Sequence, residues 1–158
     1  VKSKLDFKLE KSTRRRDKRG FLVDFLKADE LEESDKQFGQ IYFVTFEKSK
    51  AVRGNHYHEN KKEWFVVGQG KVLVILEDVK TKKRETFTLD GNDDIYERLF
   101  VGEGVAHAFT NLTPFAYVIN YCNKPYHHDQ PDSSFYELIK EVKNDRKDPS
   151  GKRIEKRS

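Results

Sequence analysis

The sequence predicts an all-β sandwich or barrel, and three observations carry that expectation. From residue 41 onward, at least seven short runs rich in β-branched and aromatic residues follow one another. Gly, Asn, Asp or Pro punctuates most gaps, and no helix-length pattern separates one run from the next. Several runs are apolar on both alternating sets, which suits strands covered on both faces, as in a jelly roll.

Residues 11–20 are polar, and ordered structure is expected to begin with Phe21-Leu-Val-Asp-Phe-Leu. Residues 26–36 read as a helical turn or an acidic loop. Residues 41–46 give the first β run, 64–67 the second, and Gly68-Gln-Gly70 a turn into the third at 71–76. Further runs follow at 85–89, 97–101, 106–110 and 115–121. Residues 133–143 carry apolar side chains at Phe135, Leu138, Ile139 and Val142, a helical period, and predict a C-terminal helix outside the β structure. Residues 144–158 are charged, include Asp-Pro-Ser-Gly, and read as a loose tail. The expected organisation is a single domain over 1–143.

The 158 residues suffice for one domain with its own core. Hydrophobic residues make up 35% and charged residues 37%, and no run is long enough to span a membrane. The opening residues lack the apolar run of a signal peptide. The single Cys122 cannot form an internal disulfide, so a cytoplasmic setting is expected. The net charge of +4 collects near the ends: residues 11–19 hold six basic side chains and residues 143–157 hold seven. No nucleic-acid-binding motif accompanies them, so a nucleic-acid partner is not expected.

Chemistry concentrates in two blocks. The first runs His56-Tyr-His58-Glu-Asn-Lys-Lys-Glu63 and ends at Gly68-Gln-Gly70. The second is Gly104-Val-Ala-His107-Ala-Phe-Thr-Asn111. Alternate residues of a strand share a face, so His56 and His58 point the same way. Glu63 opens the next strand, and His107 arrives from a distant one after the turn at Gly104. Imidazole and carboxylate are ligands for a divalent ion, and histidine is also the common base near neutral pH. A nitrogen that holds a metal cannot also take a proton, so the two roles compete.

The order His-x-His, Glu, Gly, then Gly-x-x-His-x-x-x-Asn resembles the two motifs of the cupin superfamily, carried here by His56, His58, Glu63, Gly70, Gly104, His107 and Asn111. Gly102 departs from it, standing where the second motif usually has Pro. Asp17-Lys-Arg19-Gly20-Phe21-Leu, Arg53-Gly-Asn-His-Tyr57, Gly104-Val-Ala-His-Ala-Phe109 and Tyr121-Cys-Asn-Lys-Pro-Tyr126 look like segments of the dTDP-4-dehydrorhamnose 3,5-epimerases. Two positions differ: His58 and Glu63 stand where that family has Gln and Lys. With both changes the ligand set is closer to the metal-bearing cupins of capsular polysaccharide enzymes. The His-x-His pair also resembles the dTDP-sugar 3,4-ketoisomerases, which use paired histidines without metal.

The resemblance implies a cupin double-stranded β-helix, a homodimer, and an epimerase or ketoisomerase acting on a dTDP- or UDP-linked 4-keto-6-deoxy sugar through an enolate. It implies His56 as base with His58 assisting and Tyr121 as acid, and Arg19, Arg53 and Tyr126 as substrate-binding residues. In the metal version His56, His58, Glu63 and His107 hold one divalent ion (Zn, Ni, Mn or Fe), and the base is another group. No redox cofactor is required. The rival readings are another metal cupin (sugar-phosphate isomerase or dioxygenase) and a sugar-binding cupin without catalysis. His127 and His128 read as solvent histidines, and Cys122 as a small buried filler.

Overall fold

The computed structural model describes residues 5–141. They form two five-stranded antiparallel sheets and a small hairpin. The strands are β1 (Phe7–Thr13), β2 (Arg15–Asp17), β3 (Gly20–Leu22), β4 (Gln40–Phe46), β5 (Val52–Tyr57), β6 (Glu63–Gln69), β7 (Lys71–Asp78), β8 (Arg84–Asp90), β9 (Ile95–Val101), β10 (Val105–Asn111), β11 (Ala116–Cys122) and β12 (Ser134–Phe135). The first sheet has the order β1-β9-β6-β11-β4, the second β12-β5-β10-β7-β8, and β2 pairs with β3 alone. This is the β-rich, jelly-roll-like architecture that the run pattern and the motifs led us to expect. Among the described residues, no helix is long and apolar enough to cross a membrane.

Period-two alternation builds the core. Val72, Val74 and Leu76 of β7 with Val105 and Phe109 of its neighbour β10, from one sheet, share a core with Phe65 and Val67 of β6 and Leu99 and Val101 of β9, from the other. Burying such side chains contributes about 1.5–3 kcal/mol each and holds the two sheets together. Ordered structure starts earlier than residue 21: Leu5 is buried, and Phe7 and Leu9 pack against the core from β1, which pairs with β9 along its whole length. Residues 26–36 resolve into two 3-10 turns, Ala28–Glu30 and Glu33–Asp35. Buried Asp35 ties this segment to the end of the first sheet, accepting from Lys62 Nζ at 2.9 Å and Asn123 Nδ2 at 3.0 Å.

The expected C-terminal helix is not formed over residues 133–141. Its last two residues, 142 and 143, and the expected tail at 144–158 lie outside the described residues. The physical reason is competition for backbone groups. β12 pairs with β5, and the Tyr136 amide donates to the Asn55 carbonyl at 2.7 Å. The amides of Leu138 and Ile139 both donate to Asn55 Oδ1, at 2.9 and 3.0 Å, and Asn55 Nδ2 donates to the Ile139 carbonyl at 2.8 Å. A helix needs those amides for its own turns.

Asn55 has this reach because it is the extra residue of a β-bulge. His56 pairs with His107 but Gly54 pairs with Ala108, leaving Asn55 unpaired, at φ 56°. Gly54 beside it has φ 85°, and a Cβ there would meet the His107 carbonyl oxygen at 2.5 Å, so only glycine fits. Replacing Asn55 by Ala removes three hydrogen bonds and puts a Cβ-bearing residue with no local side-chain partner at positive φ. A loss of about 2–4 kcal/mol is expected. Amide exchange at Leu138 and Ile139 should rise far more than exchange in β7; unchanged protection at both amides would refute the clamp.

Candidate metal centre

His56, His58, Glu63 and His107 converge in the interior, their candidate ligand atoms all within 4.8 Å of one another. The two sheets contribute together: Glu63 opens β6 in the first, while His56 on β5 and His107 on β10 belong to the second. His58 follows directly after β5. The His56 ring centroid lies 4.9 Å from that of His58 and 4.7 Å from that of His107. Glu63 and His107 are each only 2% exposed, and Phe65 and Phe109 wall the His107 ring with apolar surface.

Two of the imidazoles are aimed by the backbone. His107 Nδ1 faces the Val105 carbonyl at 3.2 Å, and His58 Nδ1 bonds the Asp132 carbonyl. Such contacts fix the tautomer: the ring N–H goes to a carbonyl and the far nitrogen keeps its lone pair. The far nitrogens of His107 and His58 face Glu63 Oε2 at 3.1 and 3.5 Å. Supporting groups hold the frame. Gly104, at φ 71°, donates its amide to the His58 carbonyl at 2.8 Å. The Asp132 carboxylate accepts the amides of Glu59 and Asn60 at 3.0 and 2.9 Å, pinning the turn after His58.

Glu63 shows why this arrangement suits a cation. Oε1 accepts from Asn120 Nδ2 at 2.9 Å and has Cys122 Sγ at 3.6 Å. Oε2 is buried with no hydrogen-bond partner. A buried carboxylate oxygen left unpaired is costly, and here it faces nitrogen lone pairs. A divalent ion between them turns that repulsion into attraction, and three imidazoles with one carboxylate form a familiar donor set for such an ion. The protonation states agree. Burial pushes the His56 imidazolium down to about 3, helped by its neighbour His107, and burial also lowers His58. Burial alone would raise Glu63, but His107, His58 and the Asn120 amide outweigh it and hold the carboxyl far below its ordinary range. Neutral imidazoles and an ionised carboxylate are the forms that bind metal.

The other sequence-predicted residues are spread out. Tyr121 lies between Asn120 and Cys122 on β11, so it points to the opposite face of the sheet. Its ring packs at a tilt against Trp64 and Phe38, and its hydroxyl donates to the Asp35 and Gln37 carbonyls at 3.3 and 3.2 Å. Within this chain it does not join the tetrad. Arg19 sits at the exposed turn of the β2–β3 hairpin, paired with Asp17 at 2.6 Å, and also stays apart. Arg53 comes closer: it pairs with core residue Phe109, and its guanidinium donates to the Thr45 carbonyl of β4 at 3.1 Å. Tyr126 is half-exposed, with its amide on Gln40 Oε1 at 2.9 Å. His127 and His128 are exposed, as expected.

Four groups beside the tetrad had escaped the sequence reading. Tyr42 of β4 pairs with Asn120, and its hydroxyl accepts from Asn120 Nδ2 at 2.7 Å. Burial first, then Glu63, drive the Tyr42 phenol well above its ordinary value, so it keeps its proton. Asn120 itself bridges Tyr42 and Glu63. Cys122 is more than a filler: its thiol walls the site and is pushed up to about 12 by burial and by Glu63. Lys61, in the loop two residues before Glu63, is only 5% exposed.

The comparisons with known proteins follow this geometry. The family described as "Polysaccharide biosynthesis C-terminal domain" matches residues 15–134. The chain belongs to this family. No curated protein matches it significantly. Among solved structures it is similar to the capsular polysaccharide assembling protein CapF of Staphylococcus aureus. That likeness has 26% identity and a TM-score of 0.60, over 65% of this chain but only 27% of that one. It is also similar to the dTDP-4-dehydrorhamnose 3,5-epimerase of Bacillus anthracis (24% identity, TM-score 0.68, 82% of this chain and 78% of that one). A third likeness is to a 3,4-ketoisomerase from Helicobacter canadensis (19% identity, TM-score 0.64, 83% and 91%). The last two share the fold with this chain, and CapF extends well beyond the part that this chain spans.

Two outcomes test the centre. His56 and His58 bind a proton less readily when folded than the ordinary imidazole value of 6.5. Acid therefore favours the unfolded chain, and their contribution is complete above 6.5 and lost as pH falls toward about 3. The depressed Glu63 acts in the same sense. Urea midpoints of chelator-treated protein should fall steadily below neutral pH; a flat profile down to pH about 4 would contradict the buried-neutral assignment. Separately, Asp132→Ala removes the pins on the turn after His58. It should weaken zinc binding by about 10- to 100-fold with all four ligands intact; unaltered affinity in a competition titration would show that the pins are dispensable.

Proposed function

We propose that the chain is an epimerase or ketoisomerase acting on a nucleotide-linked 4-keto-6-deoxy sugar in surface-polysaccharide or deoxysugar synthesis. The observation that carries the reading is a three-histidine, one-carboxylate cluster enclosed by apolar walls, in a chain of the polysaccharide biosynthesis family. The likenesses to a 3,5-epimerase and a 3,4-ketoisomerase support it at the level of fold. In this reading the two sheets close as a cupin barrel and the sugar lies at the tetrad.

A ketone acidifies the neighbouring carbon–hydrogen bond, and an epimerase or ketoisomerase needs only to remove that proton and return one elsewhere. A divalent ion held by His56, His58, Glu63 and His107 supplies Lewis acidity toward a carbonyl oxygen. The chain's own groups divide the remaining work. His56, neutral and only half-buried, is the imidazole most open to a ligand and is the base when its nitrogen is free. The acid expected at Tyr121 is instead assigned to Tyr42, whose protonated hydroxyl lies on the tetrad side of its sheet, on Asn120. Arg53, at the edge of β4, is the candidate grip for the diphosphate. Arg19 joins that role only if a second copy presents it. The outer face of edge strand β4 exposes Ile41 and Phe43 at 54% and 71%, which supports a homodimer.

Incubation with dTDP- and UDP-4-keto-6-deoxy sugars in heavy water tests the assignment. Deuterium is expected at a carbon next to the keto group, and Tyr42→Phe should slow its appearance by about 100-fold or more. Sugars recovered without deuterium and otherwise unchanged would sink the enzyme reading. Oxygen uptake by the iron-loaded protein would instead favour a dioxygenase.

A further inference from the structure

Lys61 is a buried lysine without an ion pair among the described residues. Its neighbour Lys62 is satisfied by Asp35 at 2.9 Å. Lys61 stands two residues before Glu63, the first residue of β6, and is 5% exposed. Among the described residues no carboxylate lies within ion-pair distance of it, and its ammonium makes no hydrogen bond. The ammonium lies 5.9 Å from the centre of the Tyr126 ring. Its charge nevertheless reaches the site, where it disfavours protonation of His58 and opposes part of the rise at Cys122. Three N–H donors and a positive charge thus stand close to the tetrad without a protein partner, on a side chain that is almost wholly buried.

A structural lysine does not look like this. A buried ammonium kept for stability is paired, as Lys62 is; an unpaired one lowers stability and persists where a ligand completes it. The placement agrees. Along the edge of β4, Arg53 donates to the Thr45 carbonyl, while the Tyr126 amide donates to the Gln40 side chain. These points are about 17 Å apart along the strand. Lys61, under Tyr126, therefore stands at the end opposite Arg53, which is also the end where Glu63 and Cys122 pair in register with Gln40.

We propose that Lys61 is a ligand-contacting residue of this site, whose ammonium receives a negatively charged ligand oxygen beside the tetrad. Resting on the nucleotide-sugar reading, that oxygen has two sources: a phosphate of the bound nucleotide, or the oxygen that becomes negative when the sugar is deprotonated.

The test compares wild type with Lys61→Met and Lys61→Arg in the metal-loaded full chain. Calorimetry measures binding of dTDP and of inorganic pyrophosphate, and exchange in heavy water measures the reaction. Lys61→Met should be as thermally stable as wild type or more so, with unchanged metal content, because it removes an unpaired buried charge. It should lose about 10- to 100-fold in one readout. Loss of dTDP affinity at unchanged exchange rate assigns the phosphate; loss of exchange at unchanged dTDP affinity assigns the reacting oxygen. Lys61→Arg should retain part of whichever is lost. Equal dTDP binding and equal exchange in wild type and Lys61→Met would overturn the proposal, as would a fall in melting temperature large enough to mark a structural role. If wild type neither binds dTDP nor exchanges deuterium, the nucleotide-sugar reading fails instead. Pyrophosphate then decides Lys61: weaker binding in Lys61→Met supports the contact, and equal or absent binding in both proteins overturns it.

Discussion

One buried carboxylate governs the arrangement. Glu63 is 2% exposed, ionised, and has one oxygen without a hydrogen bond. Stranding such a group in the interior costs several kcal/mol unless a positive charge meets it. The fold brings the far nitrogens of His58 and His107 around Oε2 from the other sheet and gives Oε1 the Asn120 amide from its own, which leaves the place between them for a cation. The tetrad therefore bridges the two sheets at the point where apolar packing around Phe65 and Phe109 gives way to polar groups. Its geometry makes sense as a cation site and poorly as a set of polar side chains satisfying one another.

The backbone around the tetrad is shaped to the same end. The bulge at Gly54 and Asn55 lets Arg53 and His56 face the same side of β5, and it frees the Asn55 side chain to hold residues 138 and 139. β12 and the residues after it then lie along β5, where a helix would have drawn their backbone groups away. Gly104 ties the turn before β10 to the His58 carbonyl, so the two sequence blocks are joined through one hydrogen bond as well as through the shared site. Asp132 contributes twice, with its carbonyl on the His58 ring and its carboxylate on the following turn. These are the contacts that keep ligand side chains aimed before any ion arrives.

Much of this was legible in the sequence, for definite physical reasons. Strand alternation and turn residues announced the β architecture, and the spacing of His56, His58, Glu63 and His107 announced the cluster. What stayed hidden depended on registers that only the folded chain sets. Tyr121 and Asn120 are adjacent, and nothing local says which of them meets Glu63; the pairing of β11 with β6 decides for Asn120. Tyr42 becomes visible only through that same row, one strand further out. The apolar period at 135, 138 and 139 reads as a helix, but three hydrogen bonds to the Asn55 side chain override it. Lys61 drew no reading, because its approach to the Tyr126 ring joins residues far apart in the chain.

The central claim is that the tetrad is a metal centre, and anomalous diffraction from crystals of protein purified without chelator tests it most directly. The account calls for one strong peak per chain within about 2.0–2.2 Å of a nitrogen of each of His56, His58 and His107 and of Glu63 Oε2. No peak there after soaking with zinc, nickel, manganese or iron, with Glu63 Oε2 closed onto the His107 ring by a direct hydrogen bond, would contradict it.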